Sequence, residues 1–504
     1  MKKLLSSAAI VLAAISAHAQ QDINTAQDPL RYSTDNLTGT ARFRAMAGAF
    51  GAVGGDPSAI NINPAGSAIY NYNSGTFTLS SYNMNNAANY FGDRTTKNGN
   101  GFDLNQLGMF FVFNNGKEDA IMNKFTLGIN YENTKSFNNT MRLAGVNPTG
   151  SITDYFLRYA NGIGNEGGIN LGYLNGSSIY DYPNMNFIDQ QAYLGYNAYA
   201  INPVTDASDN TQYVANLPEG SANHYQESYI STSGYNGKVA LNFAAQLKKR
   251  LYVGANVNIH FTDYINRTSF YEDTNNTTGE GLQALQLDTK RYTYGGGASL
   301  NVGAILKVAE PVRIGLAYES PTWLRLQDEI TQVVRSTAGG QDYYTNPGVT
   351  MVGDDYGIRT PSKYTGSAAF IFGKAGLISV DYGMRNYGNT RYTSNRYNAL
   401  NAELSNNLDW AGDLRVGTEW RVKMVSIRGG YRYQQSPYKN GNTIGDLNSI
   451  SGGLGYSFGG SRLDLAYTWQ QQKNNISLFT PGLTDAAQVK TTSNNITLSY
   501  TLDL

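Results

Sequence analysis

The residues of this 504-residue chain that could do chemistry are few: His224, His260 and a series of arginines and carboxylates in alternating phase. Serine–histidine hydrolysis needs a histidine beside a serine. His260 is in phase with Asn256 and Asn258, on the polar face of its run, whereas a lipid-hydrolysing site would have to open toward lipid. His224 stands at a loop–strand boundary with no diagnostic neighbour. There is no cysteine and no histidine cluster, so no metal site is expected. Gly295-Gly296-Gly297 lacks the Lys and Ser/Thr of a phosphate loop. The expectation is a protein that is not an enzyme and carries no cofactor.

The charges are Arg313, Glu319, Asp381, Arg385, Arg415, Glu419, Arg428, Arg432, Arg462 and Asp464. They admit two readings. An arginine fork suits a ligand carboxylate. Alternatively, mixed signs form a salt-bridge network that holds neighbouring elements together, and the mixture of signs favours this second reading.

The elements that carry these residues are strands. Leu463, Leu465, Tyr467 and Trp469 alternate with Arg462, Asp464, Ala466 and Thr468; Ile496, Leu498, Tyr500, Leu502 and Leu504 alternate with polar neighbours. Such period-two runs have one apolar and one polar face. About fourteen of them occur, near 75–83, 104–113, 124–140, 225–246, 251–271, 291–307, 311–329, 362–373, 375–390, 406–420, 425–434, 449–458, 461–472 and 490–504. Connections at 247–250, 307–311, 372–376, 421–424 and 458–461 are short. Those near 84–103, 141–224, 272–290, 330–361, 391–405, 435–448 and 473–489 are long. Short turns on one side and long loops on the other characterise a transmembrane barrel. The 38 tyrosines, 55 glycines and 15% charged residues suit one. Net charge is zero, so no nucleic-acid partner is expected. Within the long 141–224 segment, Ser151–Ala160 and Phe187–Tyr196 read as short helices that would cap the mouth; a variable surface loop with no such role is the equal alternative.

The N-terminus sets the compartment. Lys2-Lys3, an apolar run from Leu4 to Ile15 and Ala17-His18-Ala19 read as an export signal over 1–19. Residues 20–74 precede the first strand, and Arg42–Tyr70 is crowded with Gly and Ala. Asp56-Pro57 and Asn63-Pro64 favour turns, and Ala45–Ala52 allows one or two helical turns. A barrel of this width is not filled by its own side chains. A compact segment ahead of strand one is therefore expected to plug it from the periplasmic side as a hatch, leaving both termini periplasmic and 75–504 as barrel. Phe43, Met46 and Phe50 are its candidates for contact with barrel or ligand.

Arg44-Ala45 with Gly48, Gly54–Ala65 ending in Asn63-Pro64-Ala65, Val312–Trp323, Arg359–Phe372 and Ile427–Tyr438 together resemble the FadL/TodX outer-membrane transporters of long-chain fatty acids and hydrocarbons. The resemblance implies an all-β, hatch-plugged fourteen-stranded barrel in the outer membrane of a Gram-negative bacterium. It implies passive passage of a hydrophobic small molecule, with lateral release through a gap in the wall. Outer-membrane lipid and the barrel-assembly machinery are the expected partners, and a monomer the expected state. A general polar-solute porin, or a barrel-anchored surface binding protein, are the alternatives. Two features depart from the family pattern: the longest loop follows the third strand, and the chain ends in Leu504.

Overall fold

In the computed structural model, which describes residues 24–117, 120–163 and 167–504, fourteen antiparallel strands close on themselves. They are β1 (Ser74–Tyr90), β2 (Asp93–Asn114), β3 (Met122–Ser136, continued as Asn139–Asn147), β4 (His224–Leu247) and β5 (Leu251–Asp273). There follow β6 (Leu282–Ala309), β7 (Val312–Glu319 and Trp323–Ala338), β8 (Tyr356–Arg359 and Lys363–Phe372), β9 (Gly376–Asn386) and β10 (Trp410–Val422). β11 (Val425–Gln434), β12 (Ile444–Ser457), β13 (Ser461–Ser477) and β14 (Ala486–Asp503) complete the circuit. β14 pairs back onto β1 from Ser74↔Asp503 to Asn89↔Gln488. Closure leaves no free edge, which a strand structure in lipid requires.

The alternation sets the two faces. On β13, Leu463, Leu465 and Tyr467 point outward, and Asp464, Ala466 and Thr468 point inward and are buried. Leu498, Tyr500 and Leu502 continue the apolar outer belt on β14, opposite Leu465, Leu463 and Ser461. Each of the fourteen runs legible in the sequence holds a strand; several are longer at the long-loop end, whereas those at 375–390 and 406–420 are shorter there, ending at Asn386 and starting at Trp410. Residues 84–103 are not a loop. β1 and β2 continue as a tight hairpin turning at Phe91 and Gly92, both in the left-handed region. Above the apolar belt neither face needs to be apolar, so Asn83–Asn100 and Asn85–Asn98 amide pairs hold the extension instead.

Two strands are broken by proline. Pro321 in β7 and Pro361 in β8 cannot donate to a ladder. Side-chain hydroxyls patch the breaks: Leu300 N donates to Ser320 Oγ at 2.9 Å, and Thr322 N to Thr360 Oγ1 at 2.8 Å.

The long connection after β3 folds as a cap. The helix over Ile152–Ala160 starts in a capping box of Ser151 and Asp154. A second helix spans Phe187–Asn197, as the sequence predicts. Ile152, Phe156 and Leu194 pack with Phe270, Leu287 and Val334 from β5, β6 and β7, and with Leu483 from the loop before β14. The cap thus reaches from β5–β7 to the far side of the mouth.

The N-terminal segment runs inside the barrel. The helix α1 (Asp28–Ser33) comes first, then α2 (Ala41–Ala45), capped by Thr40, whose hydroxyl accepts from Phe43 N at 3.1 Å. The helical turns expected at 45–52 are displaced to 41–45. The chain leaves α2 through Ala47 and Gly48, both at positive φ, which ends a helix. Short 3-10 turns follow at Pro57–Asn61 and Pro64–Ile69, each begun by an Asx side chain and a proline. The direction of the segment differs from expectation. Asn24 and Thr25 bond Tyr397 and Tyr392 at the long-loop end, whereas Leu504 bonds Asn73 at the short-turn end. The first described residues therefore lie high in the lumen, and the chain descends from there to β1. The expected signal over 1–19 lies outside the described residues.

Candidate ligand cavity and barrel seam

Ion pairs tie the N-terminal segment to one side of the wall. Arg42 Nε lies 2.7 Å from Glu419, which also binds Arg428 at 2.6 Å and Arg421 at 2.6 Å. Arg428 continues to Asp464 at 2.7 Å, and Arg462 joins Asp464 at 2.6 Å. A second cluster surrounds Asp35, which contacts Lys363 and, at 3.3 Å, Arg385. Arg385 lies 3.5 Å from Glu319, and Asp413 holds Arg415 at 2.5 Å and Arg432 at 2.9 Å. Asp381 accepts from Gly51 N at 2.9 Å, and Arg313 donates to Val53 O at 3.1 Å. Each of the ten charges singled out in the sequence therefore faces a charge or a backbone group inside the barrel. Sequence reasoning missed Asp35, Arg42, Lys363 and Asp413. The first two precede any strand pattern, so no alternation flagged them.

Asn63 anchors the opposite side. Its amide donates to Gly51 O at 2.8 Å and to Ala304 O of β6 at 3.0 Å, and its oxygen accepts from Ala65 N at 3.2 Å. Asn242 of β4 donates to Pro64 O at 3.0 Å. The wall leaves room for this approach: a Cβ at Gly303 would collide with Asn63 Oδ1. Ala65 is fully buried against Ala244 and Ile305. Met46 and Phe50 are likewise fully buried, packed with Leu37 and Val53. Phe43 lines a lumen cavity of about 120 Å³ together with Glu132, His260 and Lys363.

His260 does lie beside a serine, with Nε2 2.8 Å from Ser299 Oγ. That hydroxyl is buried and also takes a bond from Asn258. Among the described residues no carboxylate bonds the other ring nitrogen, so the pair has no orienting acid. His224 Nδ1 lies 3.1 Å from Thr274 O, and its Nε2 bonds no serine among the described residues.

A larger cavity of about 490 Å³ lies between the N-terminal segment and the wall. Met84, Phe137, Met141 and Tyr264 line it on the β1–β3–β5 side, and Gln434, Gln470 and Gln472 on the β11–β13 side. Arg44 reaches it from α2. Its residue exposure is 5% and its Nε has no partner; it feels the charge of Glu132, but no direct ion pair to a carboxylate is formed among the described residues. It is thereby set apart from the paired lumen arginines Arg42, Arg385, Arg415, Arg428 and Arg432.

This cavity meets the wall at a seam. β2 and β3 share a ladder only from Asn114↔Lys124 to Gln106↔Glu132. Above it, Phe102–Leu104 pairs with β1 alone, and Asn133, Lys135 and Ser136 with β4 alone. β3 then breaks at Phe137-Asn138 before resuming on β4. Asp103, Asn105, Asn133 and Ser136, from the two sides of the seam, all line the cavity. Tyr82 of β1 bars the opening from inside: its hydroxyl bonds Ser136 and accepts from Asn138 Nδ2 at 2.9 Å. The ring passes behind Gly101, where any Cβ would strike it.

No family model and no curated protein matches the chain. Solved structures do. The toluene transporter TodX of Pseudomonas putida is 14% identical, with 94% of this chain and 100% of that one covered at a TM-score of 0.50. A FadL homologue of Pseudomonas aeruginosa is 13% identical, with 94% and 99% covered at a TM-score of 0.52. The fold of this chain, from the N-terminal segment through the fourteenth strand, is the fold these two proteins share.

Proposed function

We propose that the protein is an outer-membrane channel for passive uptake of hydrophobic molecules that carry an anionic end, as a long-chain fatty acid does. The observation that carries this reading is the lumen cavity of about 490 Å³ whose lining includes residues from both sides of the β2–β3 seam. A molecule held there can leave sideways into lipid without crossing a water-filled pore. The apolar side of the cavity, at Met84, Phe137 and Met141, lies next to the seam. Arg44 supplies the anion partner, because a buried guanidinium that has Glu132 only at a distance and no direct ion pair is costly until a carboxylate arrives. The N-terminal segment acts as the hatch, with Asn63-Pro64-Ala65 at its hold on the wall and the lumen ion pairs fixing its other side. The fold neighbours include a toluene transporter, which supports an apolar cargo. A general porin fits less well, since hatch and cap both stand in the path of ions. On this reading the long-loop end faces outward, Leu504 lies on the periplasmic side, the barrel-assembly machinery inserts the chain, and it works as a monomer.

The test is mass spectrometry of protein purified in mild detergent after exposure to a long-chain carboxylate and to the matching alkane. Stoichiometric retention of the acid, lost in Arg44→Gln, supports the reading. Equal retention of acid and alkane by parent and variant removes the anionic end from it. Retention of neither, with large steady conductance in planar bilayers, replaces it with the porin.

A further inference from the structure

The lipid-facing side of the wall carries a furrow. On β8, Gly366 and Ala368 are successive outward positions, so the strand presents almost no side chain over that stretch. Gly366 is flanked in register by Leu316 of β7 and Tyr382 of β9, and Leu316 in turn by Ala304 of β6. The outcome is an open, apolar groove of about 640 Å³. A Cβ at Gly366 would meet nothing within 4 Å, so the glycine does not make room for another part of this chain. A strand-interior glycine costs packing and often marks the close approach of a ligand. At the long-loop end the groove is bounded by Tyr318 and Tyr364, ring centroids 5.3 Å apart, the residue type that sits at a membrane–water interface.

Beyond these tyrosines and the break at Pro361, the same strand presents Arg359 outward. Arg359 stands directly opposite Arg391, from the loop after β9, and opposite Trp323 of β7 on its other side. Both arginines are exposed, and neither pairs with a carboxylate among the described residues. The aspartates of the neighbouring loop are engaged elsewhere: Asp355 with Arg325 at 3.0 Å, and Asp354 with Arg396 at 3.2 Å. Like charges directly opposite on a ladder destabilise it. A shared anion removes that repulsion, and guanidinium forks fit the oxygens of a phosphate. Furrow and arginine pair lie along one strand, so a molecule with a phosphate at one end and an acyl chain at the other meets both.

We infer that this face of the barrel is a docking site for a phosphorylated glycolipid of the outer leaflet, its phosphate on Arg359 and Arg391 and one acyl chain in the Gly366 furrow. From the uptake reading the inference takes only that the long-loop end faces outward, where the leaflet is built of such glycolipid. Its test reads lipid binding alone.

The experiment is native mass spectrometry of the full-length protein in mild detergent, after incubation with equal amounts of lipid A, phosphatidylglycerol and phosphatidylethanolamine. Arg359→Gln with Arg391→Gln removes the phosphate partners, and Gly366→Trp fills the furrow. Heat-modifiable gel migration confirms that each variant is folded. The parent should retain lipid A in preference to both phospholipids. Retention should fall about thirty-fold in the double glutamine variant, the worth of two basic side chains at an anionic lipid surface. It should fall severalfold in Gly366→Trp, and carboxylate uptake by either variant in cells should match the parent. Equal retention of lipid A by the parent and a folded variant overturns the inference, as does a parent that does not prefer lipid A to phosphatidylglycerol. A lipid-free dimer that Gly366→Trp dissolves gives the furrow to a second copy and overturns it too. Selective retention that the variants lose, in a protein that takes up no carboxylate, leaves the inference standing and removes the uptake reading.

Discussion

The Asn138 side-chain amide meets the Tyr82 hydroxyl at 2.9 Å, linking β1 to the break in β3 across a stretch of β2 that has no ladder to β3. A wall that lacks backbone hydrogen bonds at this level is bridged by side chains, with the Tyr82 phenol at their centre. Tyr82→Phe keeps the ring and removes the bridge, at about 0.5–1.5 kcal/mol per hydrogen bond lost. Tyr82→Ala removes the bar altogether. An apolar maleimide dissolved in the bilayer should label a cysteine placed at Asn105 severalfold faster in the alanine variant than in the parent. Equal rates would mean that the seam is shut by something else.

The Arg42–Glu419–Arg428 triad is a latch whose members are buried together, with side-chain exposures of 6%, 0% and 1%. Glu419→Gln leaves the buried Arg42 without a paired carboxylate, while Arg428 keeps Asp464. Breaking a buried pair from one side costs about 3–5 kcal/mol. The expected result is a lowered unfolding midpoint in detergent, with the barrel still assembled. A midpoint unchanged from the parent would show that the hatch is held mainly by packing.

Asn63 and Pro64 hold a turn of the N-terminal segment against β4 and β6. Replacing both by alanine removes the amide bonds to Gly51 and Ala304 and relaxes the turn, at about 1–3 kcal/mol confined to the plug. The variant should insert, resist unfolding in cold detergent, and change its rate of hydrophobic-ligand uptake. Failure to insert would assign the motif to folding rather than to passage.

Leu465 points outward, at 47% exposure, in the apolar belt. Arginine there should cost about 2–4 kcal/mol if the site is near the bilayer midplane. A cysteine at 465 should resist water-soluble maleimide in intact membranes, and ready labelling would reverse the two faces of β13.

The strand runs were legible because lipid demands an apolar outer face and a filled lumen tolerates a polar inner one, so each run announces itself by period two. Where that demand stops, the signal stops. Asn83, Asn85, Asn98 and Asn100 lie on a hairpin above the belt, and their polarity reads as loop. Pro321 and Pro361 mark the breaks in β7 and β8, but Phe137-Asn138 carries neither proline nor glycine, so the break beside the seam has no local signature. The charges on strands were visible from their phase. Their partners Asp35 and Arg42, the unpaired Arg44 and the bar Tyr82 were not. What distinguishes them is who stands across the lumen, and that is a property of the closed barrel and not of any window of sequence. The height of Asn24 and Thr25 was hidden for the same reason: Arg291, Tyr392 and Tyr397, which hold them, come from more than two hundred residues away.

The account stands or falls on whether hydrophobic acids enter through this barrel. The direct measurement is uptake of a labelled long-chain carboxylate by a Gram-negative host that lacks its own uptake channel and displays this protein in its outer membrane. Saturable, protein-dependent uptake is expected, reduced by Arg44→Gln and slowed by a tryptophan at Gly101, jammed against Tyr82. Uptake no faster than in the host without the protein, with the barrel assembled, would contradict it.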